Sequence, residues 1–346
     1  MMSKVAAVLA FLAVASANLH DRAFYEEKFF EWLQEHKVEA ASGSHFVKLL
    51  QNFANNHDII ESHNAGNHTY TLGHNQFSHM SIDEWRAYVR LGLQRPESVE
   101  APLYVHEAPA DISNLASSID WVAKGGVTGV KDQGQCGSCW SFSTTGALEG
   151  AYFAKYGTLK SYSEQHFVDC DNRQNSNNKG TDMGCNGGLM DSAFDWAKKN
   201  KGVCLEADYP YVSGTTKKSG TCNESKCTKD AKIAPTGHVD VTKNSDSALI
   251  SALNKGPVSV AIEADQSAFQ LYKSGVFTAA CGTSLDHGVL AVGYGTDSAS
   301  GLDYYKVKNS WGTSWGDKGY IYLQRGVSQK EGQCGILSGP PSYPAL

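Results

Sequence analysis

All nine cysteines of this chain fall after residue 115, and an odd number cannot all pair. Four bridges are possible, and one thiol must then stay free. Paired cysteines persist in oxidising compartments, and the N-terminus supplies the route to one. Met1-Met2-Ser3-Lys4 precedes an apolar run from Val5 to Ala15, and Ala15-Ser16-Ala17 has the small-residue pattern of a signal-peptide cleavage site. The reading is a signal peptide over 1–17. No later apolar run reaches the roughly 18 residues of a membrane span. A net charge of −6 argues against a nucleic-acid partner. With 346 residues, 41% of them hydrophobic, about two domains with real cores are expected. Asn67-His68-Thr69 and Asn223-Glu224-Ser225 are glycosylation sequons.

The histidines and charges divide the chain at the same place as the cysteines. His20, His36, His45, His57, His63, His68, His74, His79 and His106 precede residue 115; only His166, His238 and His287 follow it. Residues 18–114 carry 7 Lys and Arg against 14 Asp and Glu, while residues 115–346 are balanced at 22 each. The boundary falls in the Pro/Ala-rich stretch from Ala108 to Leu115. Apolar spacing predicts helices over 21–37 and 44–62, then over 138–155, 163–169 and 190–199. Strands follow over 257–262, 288–293, 304–308 and 320–323. The Asn-, Gly- and Lys-rich stretch 171–184 reads as an exposed loop, and His238 as lying on a polar stretch. Helices first and strands later predict an α+β protein with two lobes.

The densest motif is Gln133-Gly134-Gln135-Cys136-Gly137-Ser138-Cys139-Trp140. A lone C-x-x-C can be a redox pair, half of a zinc site, or a bridge cysteine beside a nucleophile. A nucleophilic cysteine needs a helix N-terminus to favour the thiolate, a base, an orienter for that base and an oxyanion donor. Cys139 stands where a helix is predicted to begin. Gln133 lies six residues earlier on a glycine-rich loop. His287 enters an apolar strand, and Asn309 ends another.

Together, Cys136-Gly137-Ser138-Cys139-Trp140, Gly184-Cys185-Asn186-Gly187-Gly188, Asp286-His287-Gly288 and Asn309-Ser310-Trp311-Gly312 resemble the papain family of cysteine proteases, on its cathepsin L-like and plant papain-like branch. His287 and Asn309 follow Cys139 by 148 and 170 residues. The resemblance runs along nearly the whole chain. It implies a two-lobe fold with a helical left lobe and a β-barrel-like right lobe over 115–346, preceded by a helical inhibitory prosegment over 18–114. It implies an endopeptidase made as a zymogen, with Cys139 as nucleophile, His287 as general base and then acid, and Asn309 orienting the imidazole. Gln133 and the Cys139 N–H would form the oxyanion hole, with the cysteine pKa depressed into the range of about 3.5–7.5. No cofactor or metal is implied. The partners are polypeptide substrates, the chain's own prosegment and cystatin-like inhibitors, with a monomer in the lysosome, vacuole or extracellular space. A thiol–disulfide oxidoreductase using Cys136 and Cys139, or an inactive relative, are the competing readings.

By resemblance, Cys136 pairs with Cys185, Cys170 with Cys222 and Cys281 with Cys334. Cys204 and Cys227 remain and are expected to pair, with an exchange of Cys222 and Cys227 as the alternative. Gly187 and Gly188 resemble the edge that receives extended substrate backbone. Leu189, Met190, Ala261, Leu285, Gly288 and Gly339 align with the S2 pocket, and Asp286 and Trp311 join the substrate-binding set. All six pocket positions are apolar or small, which predicts a bulky hydrophobic P2 residue. In the prosegment, Phe53, Asn56, Ile60 and Asn64 resemble half of an inhibitory helix motif. His45 and Leu49 stand where its Glu and Arg are expected, and His79 replaces the acid of a second motif, Gly73 to His79. Acid protonation of the prosegment histidines is therefore expected to loosen its hold.

Overall fold

The computed structural model describes residues 18–96, 99–174 and 180–346. The expected signal peptide, Glu97, Ser98 and residues 175–179 lie outside the described residues. The prosegment starts with α1 (Arg22–His36), capped by the Asp21 carboxylate accepting from the Phe24 N–H at 2.9 Å, and continues in α2 (Gly43–Asn64), capped by Ser42. Tyr25, Phe29 and Trp32 recur at helical spacing on the buried side of α1. They pack on Leu49, Leu50, Phe53 and Ala54 of α2, closing a small aromatic core. Leu49 belongs to that apolar core, so the charged pair of the resembled motif has no counterpart there. Its place is taken elsewhere. A capping box of Ser81 and Glu84 starts α3 (Ile82–Val89), and Glu84 also receives Asn52 at 2.7 Å and pairs with Lys48. Such a cap is worth about 1 kcal/mol.

The prosegment docks through backbone and rings. β1 (Tyr70–Leu72) lies between α2 and α3 and pairs antiparallel with a strand of the second lobe. Asn56 donates to the carbonyls of Ser78 and Met80, both at 2.9 Å, and Asn64 exchanges two hydrogen bonds with Leu72. These bonds fold 73–79 back over α2. Further on, β2 (Val105–His106) runs along the outer edge of the sheet, and β3 (Ile119–Asp120) opens the segment after residue 115.

The helical lobe is built on α4 (Cys139–Tyr156), α5 (Glu164–Cys170), α6 (Met190–Lys199) and the single turn α7 (Ser213–Thr216). α4 is buried along nearly its whole length, so it is apolar or small on all sides rather than amphipathic. Bridges Cys136–Cys185, Cys170–Cys222 and Cys204–Cys227 tie the loops around it. The second lobe contains β4 (Gly237–Val241), α8 (Asp246–Leu253), β5 (Val258–Ile262), α9 (Ser267–Gln270), β6 (Tyr272–Phe277), β7 (His287–Thr296), β8 (Asp303–Lys308), β9 (Tyr320–Gln324) and β10 (Ser342–Ala345), with the bridge Cys281–Cys334. The strand order is β1-β6-β9-β8-β7-β5-β10-β4-β2, with β3 on β7. β1 and β2, the outermost strands of that order, come from the chain ahead of residue 115 and lie along edges that would otherwise be open.

His238 is buried on β4 and hydrogen-bonds the Asp195 carboxylate at 2.9 Å, while Asp240, two residues on and on the same face, lies 3.7 Å from its other ring nitrogen. One reading of the sequence is corrected here. The loop 171–184 is not wholly exposed: Asp171, Asn172 and Asp182 are buried at its base.

Candidate active site

Cys139 is the one free cysteine, fully buried as the first residue of α4. Of the N–H groups at that helix end, that of Trp140 is directed to the sulfur, while those of Ser141 and Phe142 bond the Ser138 carbonyl. The Gly288 N–H donates to its sulfur at 3.4 Å. Across the lobe boundary, His287 opens β7 and Asn309 follows β8. His287 Nε2 donates to Asn309 Oδ1 at 2.8 Å, which leaves Nδ1 without a hydrogen-bond partner among the described residues. The indole of Trp311 stacks on the imidazole at 4.8 Å and 18° and screens that bond from water. Trp311 is packed edge-on by Trp315 and by Trp85 of α3.

Gln133 is held by both ends of its amide. Ser310 Oγ donates to Oε1 at 2.7 Å, which leaves Nε2 as donor. That Nε2 donates to the carbonyls of Cys136 and of Val89, each at 3.1 Å. Val89 is the last residue of α3, so the Gln133 amide is already occupied by a carbonyl from the chain ahead of residue 115.

The chain after α3 runs straight through the cleft. Gly188 N–H donates to Gly92 O at 3.0 Å, and Gln94 N–H donates to Gly188 O at 2.9 Å. Leu93 N–H donates to the Asp286 carbonyl at 3.0 Å. The glycine edge and Asp286 therefore hold extended backbone, and here that backbone is residues 92–94. A Cβ on Gly92 would lie 2.1 Å from the Gly137 carbonyl oxygen, so only glycine fits beside the Cys139 turn.

Burial under this segment sets the charge state. Desolvation pushes the Cys139 thiol up to about 11, outweighing backbone hydrogen bonds from Gly288, Gly92 and Trp140. The same burial pulls His287 down to about 4, against the opposing pull of Asn309. In this covered site, neutral thiol and neutral imidazole are favoured, because water that would solvate the ion pair is excluded; the depressed cysteine expected from the sequence belongs to the site once uncovered.

The pocket positions gather in two contacts. A Cβ on Gly339 would stand 2.8 Å from Leu285 Cδ1 and 3.7 Å from Ala261 Cβ, and one on Gly288 would meet Met190 Sδ at 2.9 Å. Leu189 enters mainly through its backbone, donating its N–H to Asp182 at 2.9 Å ahead of α6. The sequence reading missed Asp182. Its carboxylate also receives Ser192 Oγ at 2.9 Å and stands where a Gly188 Cβ would be, 2.8 Å away. It props the glycine edge from behind, with its own pKa raised by burial and by Asp171 beside it. An acid in an Asn-rich loop carries no sequence signal for that role. Both sequon asparagines, Asn67 and Asn223, are exposed.

Comparison with known proteins agrees with this arrangement. Residues 115–344 match the family model of papain family cysteine proteases, and residues 29–85 match that of the cathepsin propeptide inhibitor domain. The chain is 39% identical to a senescence-specific cysteine protease of Oryza sativa subsp. japonica over 331 residues, covering 96% of this chain and 93% of the relative. It is 41% identical to a cysteine proteinase of Hordeum vulgare over 358 residues, covering 99% and 92%. Among solved structures, a recombinant stem bromelain precursor superposes with a TM-score of 0.81 at 38% identity, covering 93% of this chain and 99% of that one. A free buried cysteine, whose sulfur accepts from the residue next to the histidine of a histidine–asparagine pair, thus lies beneath a strap of the chain's own N-terminal region, and the chain belongs to the papain family of cysteine proteases, as an endopeptidase carrying its own propeptide inhibitor domain.

Proposed function

We propose that Cys139 is the nucleophile, His287 its base and then its acid, Asn309 the orienter, and Gln133 with the Cys139 N–H the oxyanion donors. The observation that carries this reading is the His287–Asn309 bond of 2.8 Å beside the free, buried Cys139 at a helix start. Once segment 90–94 leaves, water reaches the pair and both burial shifts relax, so the proton passes from sulfur to imidazole. The thiolate then bonds to the substrate carbonyl carbon, and the oxyanion takes the place of the Val89 carbonyl on Gln133. The imidazolium gives its proton to the leaving amine as the C–N bond breaks. Water, deprotonated by His287, then hydrolyses the thioester.

Met190, Ala261, Leu285, Gly288 and Gly339 support a preference for a bulky hydrophobic P2 residue, since each of these positions is apolar or small. Fluorogenic peptides with Leu or Arg at P2 test it on enzyme matured in acid with a reductant. A ratio of kcat/KM of about 10–200 in favour of Leu is expected from apolar pocket contacts; equal values would sink the reading.

Acid release of the prosegment rests on His79. Burial pulls it down to about 4, and its ring packs at a tilt of 41° on Trp32, 5.0 Å between centroids. The ionisable groups facing it are His36 of α1, His45 of α2 and Glu84 of α3. A histidine lowered in the docked state takes its proton first when undocked, so docking is favoured above about pH 6.5 and weakened as pH falls towards 4. His79→Gln is expected to flatten that dependence and move half-maximal self-processing to lower pH. An unmoved pH profile would remove the histidine from the trigger.

The same reading takes 18–114 as the prosegment, a mature chain from near Leu115, and occupied sequons at Asn67 and Asn223. It takes the enzyme as a monomer, open to cystatin-like inhibitors and bound for a lysosome, vacuole or the extracellular space. Four disulfides and the absence, among the described residues, of any helix long and apolar enough to cross a membrane support the secretory route.

A further inference from the structure

His57 and Glu61 stand four residues apart on α2, so their side chains share one face. The chain ahead of α1 brings a third group to that face. His20 Nε2 lies 2.5 Å from Glu61 Oε2, and His57 Nε2 lies 3.7 Å from the same oxygen. All three potential ligand atoms fall within 4.8 Å of one another. A tetrahedral ion with bonds of 2.0–2.1 Å spaces its ligand atoms about 3.3 Å apart. These side chains therefore need to move by only about an ångström to receive one.

The surroundings hold the donors in that pose. His57 Nδ1 is 2.9 Å from His74 Nε2, so with Nδ1–H donating to His74 the Nε2 lone pair faces Glu61. A partner on the far nitrogen is what orients most metal-binding histidines. His74 is itself stacked flat on Phe53 at 4.3 Å and 9°. His20 is held by its backbone N–H on Tyr25 Oη at 2.9 Å and by its ring on Phe24 at 4.1 Å. Tyr25 in turn hydrogen-bonds Asp58, which also receives Asn18 and the Leu19 N–H. An ordinary surface ion pair would not need this framework, and it leaves His57 Nε2 beyond hydrogen-bond reach of the carboxylate it faces.

We propose that His20, His57 and Glu61 form a zinc site in the prosegment. Two imidazoles and one carboxylate with a fourth position open to water suit Zn²⁺ among the common divalent ions. Glu61 is exposed, so the ion enters from solvent. The site staples the segment before α1 onto α2, in a prosegment whose α2 has His45 and Leu49 where a charged pair would otherwise brace it. It revises the metal-free expectation of the sequence, in which the third ligand lies 37 residues upstream of His57 and only folding reveals it.

The test uses the full zymogen with Cys139→Ala, which removes both self-processing and a competing thiol, and carries no histidine tag. Zn²⁺ is titrated against a chromophoric chelator at neutral pH. One equivalent is expected to bind, with affinity at least about 10-fold weaker in His20→Ala and in Glu61→Gln. Co²⁺ is expected to give tetrahedral visible absorption that His20→Ala abolishes, and Zn²⁺ to raise the unfolding midpoint of the parent but not of that variant. Since His20 precedes α1, its replacement leaves the prosegment core untouched. Binding that neither substitution weakens overturns the proposal. So does binding that moves with His238→Gln instead, which would place the ion among Asp191, His238 and Asp240.

Discussion

Cys139→Ala is expected to lower peptide hydrolysis by on the order of 10⁶-fold, the scale seen when a covalent nucleophile is removed from a protease. It is also expected to leave the zymogen at full length after acid incubation. The other eight cysteines are in bridges, so no neighbouring thiol can substitute. This separates a hydrolase from an oxidoreductase: Cys136 is bonded to Cys185, not to Cys139, so a cycling pair has no second member. The same variant distinguishes self-processing from cleavage by a contaminant. Asn309→Ala is expected to be the milder companion, because it leaves Cys139 and His287 in place and removes only the hydrogen bond that holds the imidazole. The measurement is kcat/KM on a Phe-Arg fluorogenic peptide beside the wild-type enzyme. Retained turnover in Cys139→Ala would reassign the nucleophile.

How far the sequence could reach is visible residue by residue. Met190 to Lys199 was legible as a helix end to end, because its apolar residues keep helical spacing and its end is marked by lysines. β7 was legible only in its middle: His287 and the glycines near Thr296 carry no strand signal, and pairing with β5 and β8 extends it over ten residues. The motifs placed Cys139, His287 and Asn309 in one cleft by resemblance, which also implied Gln133, with their chemistry argued from residue type. What escaped was anything made by burial. Asp182 behind the glycine edge, His238 inside β4 and the neutral state of the covered cysteine depend on which atoms exclude water, and a linear pattern does not carry that. The prosegment shows the same division. Asn56 and Asn64 were legible as motif residues, yet their partners are backbone carbonyls of Ser78, Met80 and Leu72, set by the fold-back of the chain.

Gly92 tests the strap itself. An alanine Cβ there would lie 2.1 Å from Gly137 O and 2.5 Å from Gly137 C, both backbone atoms. Gly137 cannot withdraw, because its N–H is bonded to Cys185 O at 3.0 Å and the neighbouring Cys136 is disulfide-linked to the same residue. The strap must therefore move, and its pairing with Gly188 and the Val89 carbonyl on Gln133 are strained together. Overpacking of this kind costs about 1–3 kcal/mol, equivalent to about 5- to 150-fold in the opening equilibrium. Gly92→Ala is expected to raise the rate at which iodoacetamide labels Cys139 in the intact zymogen at neutral pH by that factor. Valine is expected to raise it further. The eight bridged cysteines stay silent in this assay. The proposed maturation near Leu115 removes residue 92, so the kcat/KM of the matured variant should match that of wild type, and this control separates a weakened strap from a damaged catalytic domain. Labelling as slow in Gly92→Val as in wild type would mean that the strap does not control access to the sulfur, and that inhibition resides in the docking of β1, Phe77 and Trp85 alone.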